Sequence, residues 1–263
     1  MDIIHFEHIN VAYEEQNVLH EITLNIKEGQ HTVILGANGS GKSTLLKLFS
    51  NDIYPRFTEQ MRKEIFGKSV WDIWELKKHL GIITNDLHYQ FSERSPDLSG
   101  FEVVLSGFFS SFHLYEHQGF KKEYTTKVEE VIAFLEISHL RNKHISEMST
   151  GELRKCIIAR ALVHNPKAMI LDEPTVGLDI KAQLGFVQLL RKIAQERTII
   201  LVTHHLEEIF EEISHVVLIK QGSIYEQGAK EALLNDTHLS HVFDVSLRVQ
   251  CEKGRYFIQS VGD

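Results

Sequence analysis

Residues 36–43, Gly36-Ala37-Asn38-Gly39-Ser40-Gly41-Lys42-Ser43, fit the pattern G-x-x-x-x-G-K-[ST] in full. The chemistry needs these residue types. Glycines let the backbone bend so that successive N–H groups point at phosphate oxygens. A helix start adds the positive end of its dipole. In such a loop Lys42 reaches the β- and γ-phosphates, and the Ser43 hydroxyl ligates Mg²⁺. The plain alternative, a glycine-rich turn with a surface lysine, does not explain the apolar run before the motif and the helical pattern after it. A second carboxylate-bearing element is expected. Ala168-Met169-Ile170-Leu171-Asp172-Glu173 supplies it, as an apolar run ending in paired acids. Asp172 is placed to hold Mg²⁺ through water. Glu173 is placed to polarise an attacking water as general base, a role worth about 10²–10⁴-fold in rate. Alone, a strand ending in Asp-Glu is usually structural; beside a P-loop it gains a chemical meaning.

These groups need elements to hold them. Ile3-Ile4 and the stretch from Val18 to Ile26 alternate like strands, with Glu28-Gly29 as a turn. His31 to Leu35 is a short apolar run ending at the glycines. From Lys42 a helical pattern runs through Leu45, Leu46, Leu48 and Phe49. Residues 86–158 are rich in aromatics (Phe91, Phe101, Phe108, Phe109, Phe112, Tyr115). They also carry a helical pattern at Val128, Val131, Ile132, Phe134 and Leu135, so they are expected to form an inserted helical lobe. Strand-like runs return at Ala168–Leu171, Thr198–Val202 and Val216–Ile219, separated by helical patterns, as in a parallel α/β sheet. Ile219 to Gln227 reads as a hairpin about Gly222. The expected fold is therefore α/β: a P-loop NTPase core with a mainly parallel sheet, an N-terminal antiparallel β region and the helical lobe. The expected domain covers residues 1–235, and 236–263 is a short tail of ambiguous pattern.

Composition narrows the class. The 263 residues are 43% hydrophobic and 24% charged, which suits a globular chain with a real core. A net charge of −8 argues against nucleic-acid binding through phosphate neutralisation. Cys156 and Cys251 are too few for a disulfide framework and point to reduced thiols. Asp2 and Glu7 stand where a signal peptide would need basic and then apolar residues. No apolar run approaches the roughly 18 residues of a membrane helix.

Further features follow in order. Met148-Ser149-Thr150-Gly151-Glu152 precedes the acidic pair, and Ser149 with Glu152 is also a capping box for a helix from Leu153 to Leu162. Gly177-Leu178-Asp179 lies just after Pro174. Val202-Thr203-His204 ends a strand. Tyr13 lies upstream of the P-loop, and Gly81-Ile82-Ile83 leads to Asn85.

Taken together over roughly residues 3–235, this set resembles the ABC ATPases. Ser149 and Gly151 match the family signature L-S-G-G-Q; Thr150 and Glu152 depart from it, and Glu152 puts a carboxylate where glutamine is usual. The resemblance implies ATP and Mg²⁺ as cofactors, with residues 36–44, Thr44 included, around the nucleotide. It implies that Tyr13 stacks on adenine, that Asp179 belongs to the D-loop at the nucleotide, and that His204 contacts the γ-phosphate. With Glu173 and Lys42, His204 completes the catalytic set. Ser149 and Gly151 would face the γ-phosphate held by an opposite subunit, in a head-to-tail dimer of this chain or with a related one. The loop glutamine that reaches Mg²⁺ falls on Asn85, which keeps the amide but is one methylene shorter; Gln90 sits five residues late.

The family further implies a separate transmembrane permease and a place at the inner face of the cell membrane. The expected function is an ATP-hydrolysing transporter subunit, in the uptake direction, with an aromatic groove on the helical lobe for the permease. Leu105-Ser106-Gly107-Phe108-Phe109 looks like ATPases of metal-chelate and oxyanion uptake. Two rivals stay open: an ABC ATPase serving a non-transport assembly such as iron–sulfur cluster biogenesis, and an ATP-holding regulator that scarcely hydrolyses, suggested by Glu152 and Asn85. His113-Leu114-Tyr115-Glu116-His117 also fits the zinc pattern H-x-x-E-H. The match is short, in a chain with 16 histidines, and is read as a surface segment.

Overall fold

A computed structural model of the protein describes residues 1–14, 16–112 and 121–261. It divides into two compact units, Met1–Leu76 with Ile193–Asp263, and Lys77–Lys192.

In the first unit, β1 (Asp2–Tyr13) pairs antiparallel with β2 (Gln16–Lys27) on one side and β4 (Arg62–Ile65) on the other. Ile22, Leu24 and Ile26 alternate inward along β2 and are fully buried, the period-two pattern of a sheet with one covered face. Phe6 of β1 meets Phe49 at 5.6 Å between ring centroids. The second sheet of this unit centres on β3 (Thr32–Leu35), all four residues buried. β3 lies parallel to both β7 (Thr198–Thr203) and β8 (His215–Lys220). Their continuous apolar runs are what a parallel sheet covered on both faces requires. β9 (Ser223–Ala229) returns antiparallel to β8, which is the hairpin expected about Gly222. α1 (Lys42–Phe49) follows β3, as the helical pattern predicts.

The second unit holds β5 (Leu80–Ile83) parallel to β6 (Ala168–Asp172). Around them stand α3 (Asn85–Arg94), α4 (Gly100–Leu105), α5 (Lys122–Phe134) and α6 (Thr150–Leu162). Val128, Val131 and Ile132 are buried on α5, and Phe91 is fully buried on α3. Two helices cross the boundaries of the units along the chain, α2 (Ile73–His79) and α7 (Ile180–Ala194). The sheets thus match the expected mainly parallel core with an antiparallel N-terminal region, and among the described residues α4, α5 and most of α3 and α6 fall within the expected aromatic segment.

Several elements go beyond the sequence reading. β4, β5 and α2 are short pieces with weak patterns. The ambiguous tail folds as α9 (Asp236–Phe243), after the short α8 (Lys230–Leu233), and a hairpin of β10 (Leu247–Glu252) with β11 (Arg255–Val261). Its outward residues are mostly exposed, so the chain pattern there shows little apolar periodicity. The His113–His117 pattern lies outside the described residues.

Candidate functional site

The first unit carries the phosphate loop, Tyr13 and His204. β3 ends at Leu35 and the loop begins at once. A Cβ on Gly36 would run into the Ile219 carbonyl and lie 2.5 Å from Ser40 Oγ, so only glycine fits that close approach. Gly41 has φ 106° and caps α1 without any side-chain hydrogen bond. The N–H groups of the first helical turn therefore have no side-chain acceptor from the cap, the condition in which a helix start receives an anion. Lys42 folds over the loop. Its Nζ donates to the carbonyls of Gly36 at 2.7 Å and Ala37 at 3.0 Å. Ser40 Oγ is buried with no hydrogen-bond partner, an orphaned donor inside the cradle. Ser43 is exposed on the first turn of α1, and Thr44 is buried beside it. An orphaned hydroxyl, an uncapped helix start and a lysine lying over the loop fit a bound phosphate, and the exposed Ser43 hydroxyl fits a hard cation.

Strand register brings His204 to the same edge. Leu35 of β3 pairs with Thr203 of the neighbouring β7. Gly36 and His204 are thus the first residues beyond the ends of adjacent parallel strands, where parallel α/β sheets bind ligands. Thr203 Oγ1 accepts the His205 N–H at 2.9 Å, which turns the chain there. The rings of His204 and His205 sit 4.0 Å apart between centroids. Tyr13 ends β1 with 43% of its surface exposed, and Lys47 of α1 lies 6.0 Å from its ring centroid.

The second unit carries Asn85, Ser149, Gly151, Asp172, Glu173 and Asp179. Ile83 of β5 pairs with Leu171 of β6, so Asn85 at the start of α3 and Asp172 at the end of β6 leave the same sheet edge. Glu173 has φ 44°, a left-handed backbone costing a non-glycine residue about 1–3 kcal/mol. Asp179 Oδ1 accepts the Ala182 N–H at 2.8 Å and so caps the start of α7.

The signature segment opens α6. Ser149 is its N-cap with both halves of the capping box formed. The Ser149 N–H donates to Glu152 Oε2 at 2.8 Å, and Ser149 Oγ accepts the Glu152 N–H at 3.3 Å. The helix therefore begins at Thr150, ahead of the expected Leu153. A Cβ on Gly151 would stand 3.6 Å from Leu178 Cδ2, so the start of α6 and the turn before α7 are neighbours. The departure at Glu152 has a local answer: Lys143 Nζ donates to its carboxylate at 2.7 Å.

Sequence reasoning missed Lys143 and Arg154. Arg154 Nη2 donates to Asn85 Oδ1 at 2.9 Å, which uses one of the two acceptor positions of the amide oxygen expected to reach the metal. The available signal was an arginine at an apolar-face position of α6, three and four residues before Ile157 and Ile158. The aromatics of the lobe largely pack on one another. Phe108 stacks on Tyr124 at 4.3 Å and Phe91 meets Phe112 edge-on at 5.0 Å; Tyr89 is 66% exposed.

Comparison with known proteins bears on the family and the fold. A sequence model of the ABC transporter family matches residues 19–176. A putative ABC transporter ATP-binding protein of Streptococcus mutans is 31% identical, over 98% of this chain and 99% of its own. The zinc uptake system ATP-binding protein ZurA of Listeria monocytogenes is 32% identical, over 87% of each chain. Among solved structures, the dimeric ABC transporter cassette MJ0796 superposes with a TM-score of 0.68 at 27% identity, over 86% of this chain and 98% of that one.

Proposed function

The chain belongs to the ABC transporter family of ATP-binding proteins, and from that premise we propose that it is the ATP-hydrolysing subunit of a membrane uptake system. The observation that carries the reading is the register of β3 and β7. It sets the phosphate loop and His204 side by side at one sheet edge. The loop amides and Lys42 bind the phosphates, and Tyr13 receives the base. Ser43 and Asp172 are the side chains that would hold Mg²⁺, and its charge would offset that developing on the transferred phosphoryl oxygens. Glu173 accepts a proton from the attacking water, and His204 orients the γ-phosphate.

Each chain has one P-loop and one signature. Ser149 and Gly151 then act on nucleotide bound by a second copy or a related chain, as the dimeric form of the similar cassette supports. No described helix is long and apolar enough to cross a membrane. Kinship with ATP-binding proteins of ABC transporters supports translocation by a separate membrane subunit, against which this chain sits at the inner face. Uptake rather than export follows the kinship with the zinc uptake ATPase.

The test combines two measurements. Steady ATPase activity should be abolished by Glu173→Gln, and that variant should run as a dimer on gel filtration with ATP and Mg²⁺. A variant that stays monomeric under those conditions sinks the head-to-tail dimer. Purification from native membranes should yield a stoichiometric multi-span partner. Recovery with soluble partners alone would turn the reading towards a non-transport assembly.

A further inference from the structure

Arg154 is only 8% exposed on α6, at a position where an amphipathic helix places an apolar side chain. A buried guanidinium persists where acceptors surround it. Its Nη2 donates to Asn85 Oδ1 at 2.9 Å. Its Nη1 donates to the Glu173 carbonyl at 3.3 Å and to the Pro174 carbonyl. The planar fork thus grips two successive peptides directly after the residue read as general base, and also the first residue of α3. Glu173 is itself left-handed at φ 44°, a conformation that lasts only where its surroundings hold it. Fixing the carbonyl of Glu173 fixes its ψ, and with it the direction in which its side chain leaves the backbone. A cavity lined by Asn85, His88, Asp172 and Phe186 lies against the guanidinium. Without Arg154 the Glu173–Pro174 peptide and the Pro174–Thr175 peptide each lose a hydrogen bond to their carbonyl.

We propose that Arg154 is a positioning residue for hydrolysis, holding the Glu173–Pro174 peptide so that the Glu173 carboxylate is presented in one orientation, and tying that peptide to the start of α3 through Asn85. The inference rests on the reading of Glu173 as general base. Arg154 acts through Glu173, so its removal costs no more than loss of that carboxylate itself. Lysine at this position keeps one donor but cannot make the fork.

The experiment compares Arg154→Ala and Arg154→Lys with wild type, Lys42→Ala and Glu173→Gln. Arg154→Ala should lower kcat about 10-fold or more, within the loss shown by Glu173→Gln. KM for ATP should stay within about twofold, because the phosphate loop binds the nucleotide. Arg154→Lys should recover part of kcat. In single-turnover hydrolysis of labelled ATP, Arg154→Ala with Glu173→Gln should be no slower than Glu173→Gln alone. Independently of turnover, amide hydrogen exchange across residues 172–178 of the nucleotide-free protein should quicken in Arg154→Ala, with α1 unchanged. Losses that multiply in the double variant, or unchanged exchange at 172–178, would overturn the proposal. If Arg154→Ala does not fold, Arg154→Lys must show the same non-additivity. A wild-type protein lacking Lys42-dependent ATPase refutes the parent reading, whereas an active protein whose kcat ignores Arg154 refutes this inference alone.

Discussion

Glu152→Gln restores the usual family residue and should nevertheless destabilise this protein. The Lys143–Glu152 pair spans 2.7 Å, with the side chains 32% and 25% exposed. A partly exposed pair of this kind contributes about 0.2–1 kcal/mol. The carboxylate also stands in the first turn of α6, where a negative charge adds about 0.3–1 kcal/mol against the helix dipole. Glutamine keeps an acceptor for the Ser149 N–H but loses both charge contributions, together about 0.5–2 kcal/mol at neutral pH. For a chain of this size that lowers Tm by about 1–5 °C. Burial pushes the Glu152 carboxyl up, but the Lys143 ammonium and the Ser149 N–H and hydroxyl outweigh it, and the net shift is down. The unfolded chain therefore takes up the proton first as pH falls. The stabilisation is complete at pH 7, begins to fade near the ordinary value of 4.5, and is gone once pH drops through the lowered folded value. Thermal unfolding of wild type, Glu152→Gln, Lys143→Met and the double variant at neutral and acid pH reads this directly. The double variant should lose less than the sum of the single ones. A Glu152→Gln protein at least as stable as wild type at pH 7, or a Tm gap that persists below the folded pKa, would refute the account.

Lys42→Ala should weaken ATP binding at least about 10-fold and abolish hydrolysis without changing the circular dichroism spectrum, since two of the bonds from its Nζ go to its own loop; tight binding by the variant would remove the lysine from the phosphate site. Phe91→Ala deletes a fully buried ring packed edge-on against Phe112 and 5.3 Å from the Arg160 guanidinium. It should cost about 3–5 kcal/mol in denaturant unfolding, and a loss below about 1 kcal/mol would contradict that burial. Iodoacetamide should label Cys251, which is exposed, and spare Cys156, whose thiol burial pushes up to about 12. Mass spectrometry of native and denatured protein checks this, and native labelling of Cys156 would show that α6 opens readily.

What was legible in the chain follows from how local each signal is. The phosphate loop, the apolar strand ending in Asp172-Glu173, and the Val202-Thr203-His204 strand end are contiguous words whose flanking patterns confirm them, and each is found where its pattern puts it. The capping box at Ser149 was equally legible, because both partners lie within one turn. The tail was not. Its helix and hairpin are short and half exposed, so apolar periodicity barely registers. Nor could the neighbours of Asn85 and Glu152 be read, since Arg154 lies 69 residues from Asn85 and Lys143 lies 9 residues before Glu152, outside the helix.

The sequence by itself determined which residue types stand in the loop and at the strand ends, types suited to cradling a phosphate, ligating a cation or accepting a proton, and the α/β order that carries them. Those properties belong to residue types and to short-range steric rules, so they survive without coordinates. Only the tertiary structure decided how these groups are held. Register between strands far apart in the chain sets His204 beside the phosphate loop. A lysine neutralises the unusual signature carboxylate, and a buried guanidinium joins Asn85 to the backbone after Glu173. Such contacts depend on which surfaces burial brings together, and no local pattern along the chain encodes that pairing.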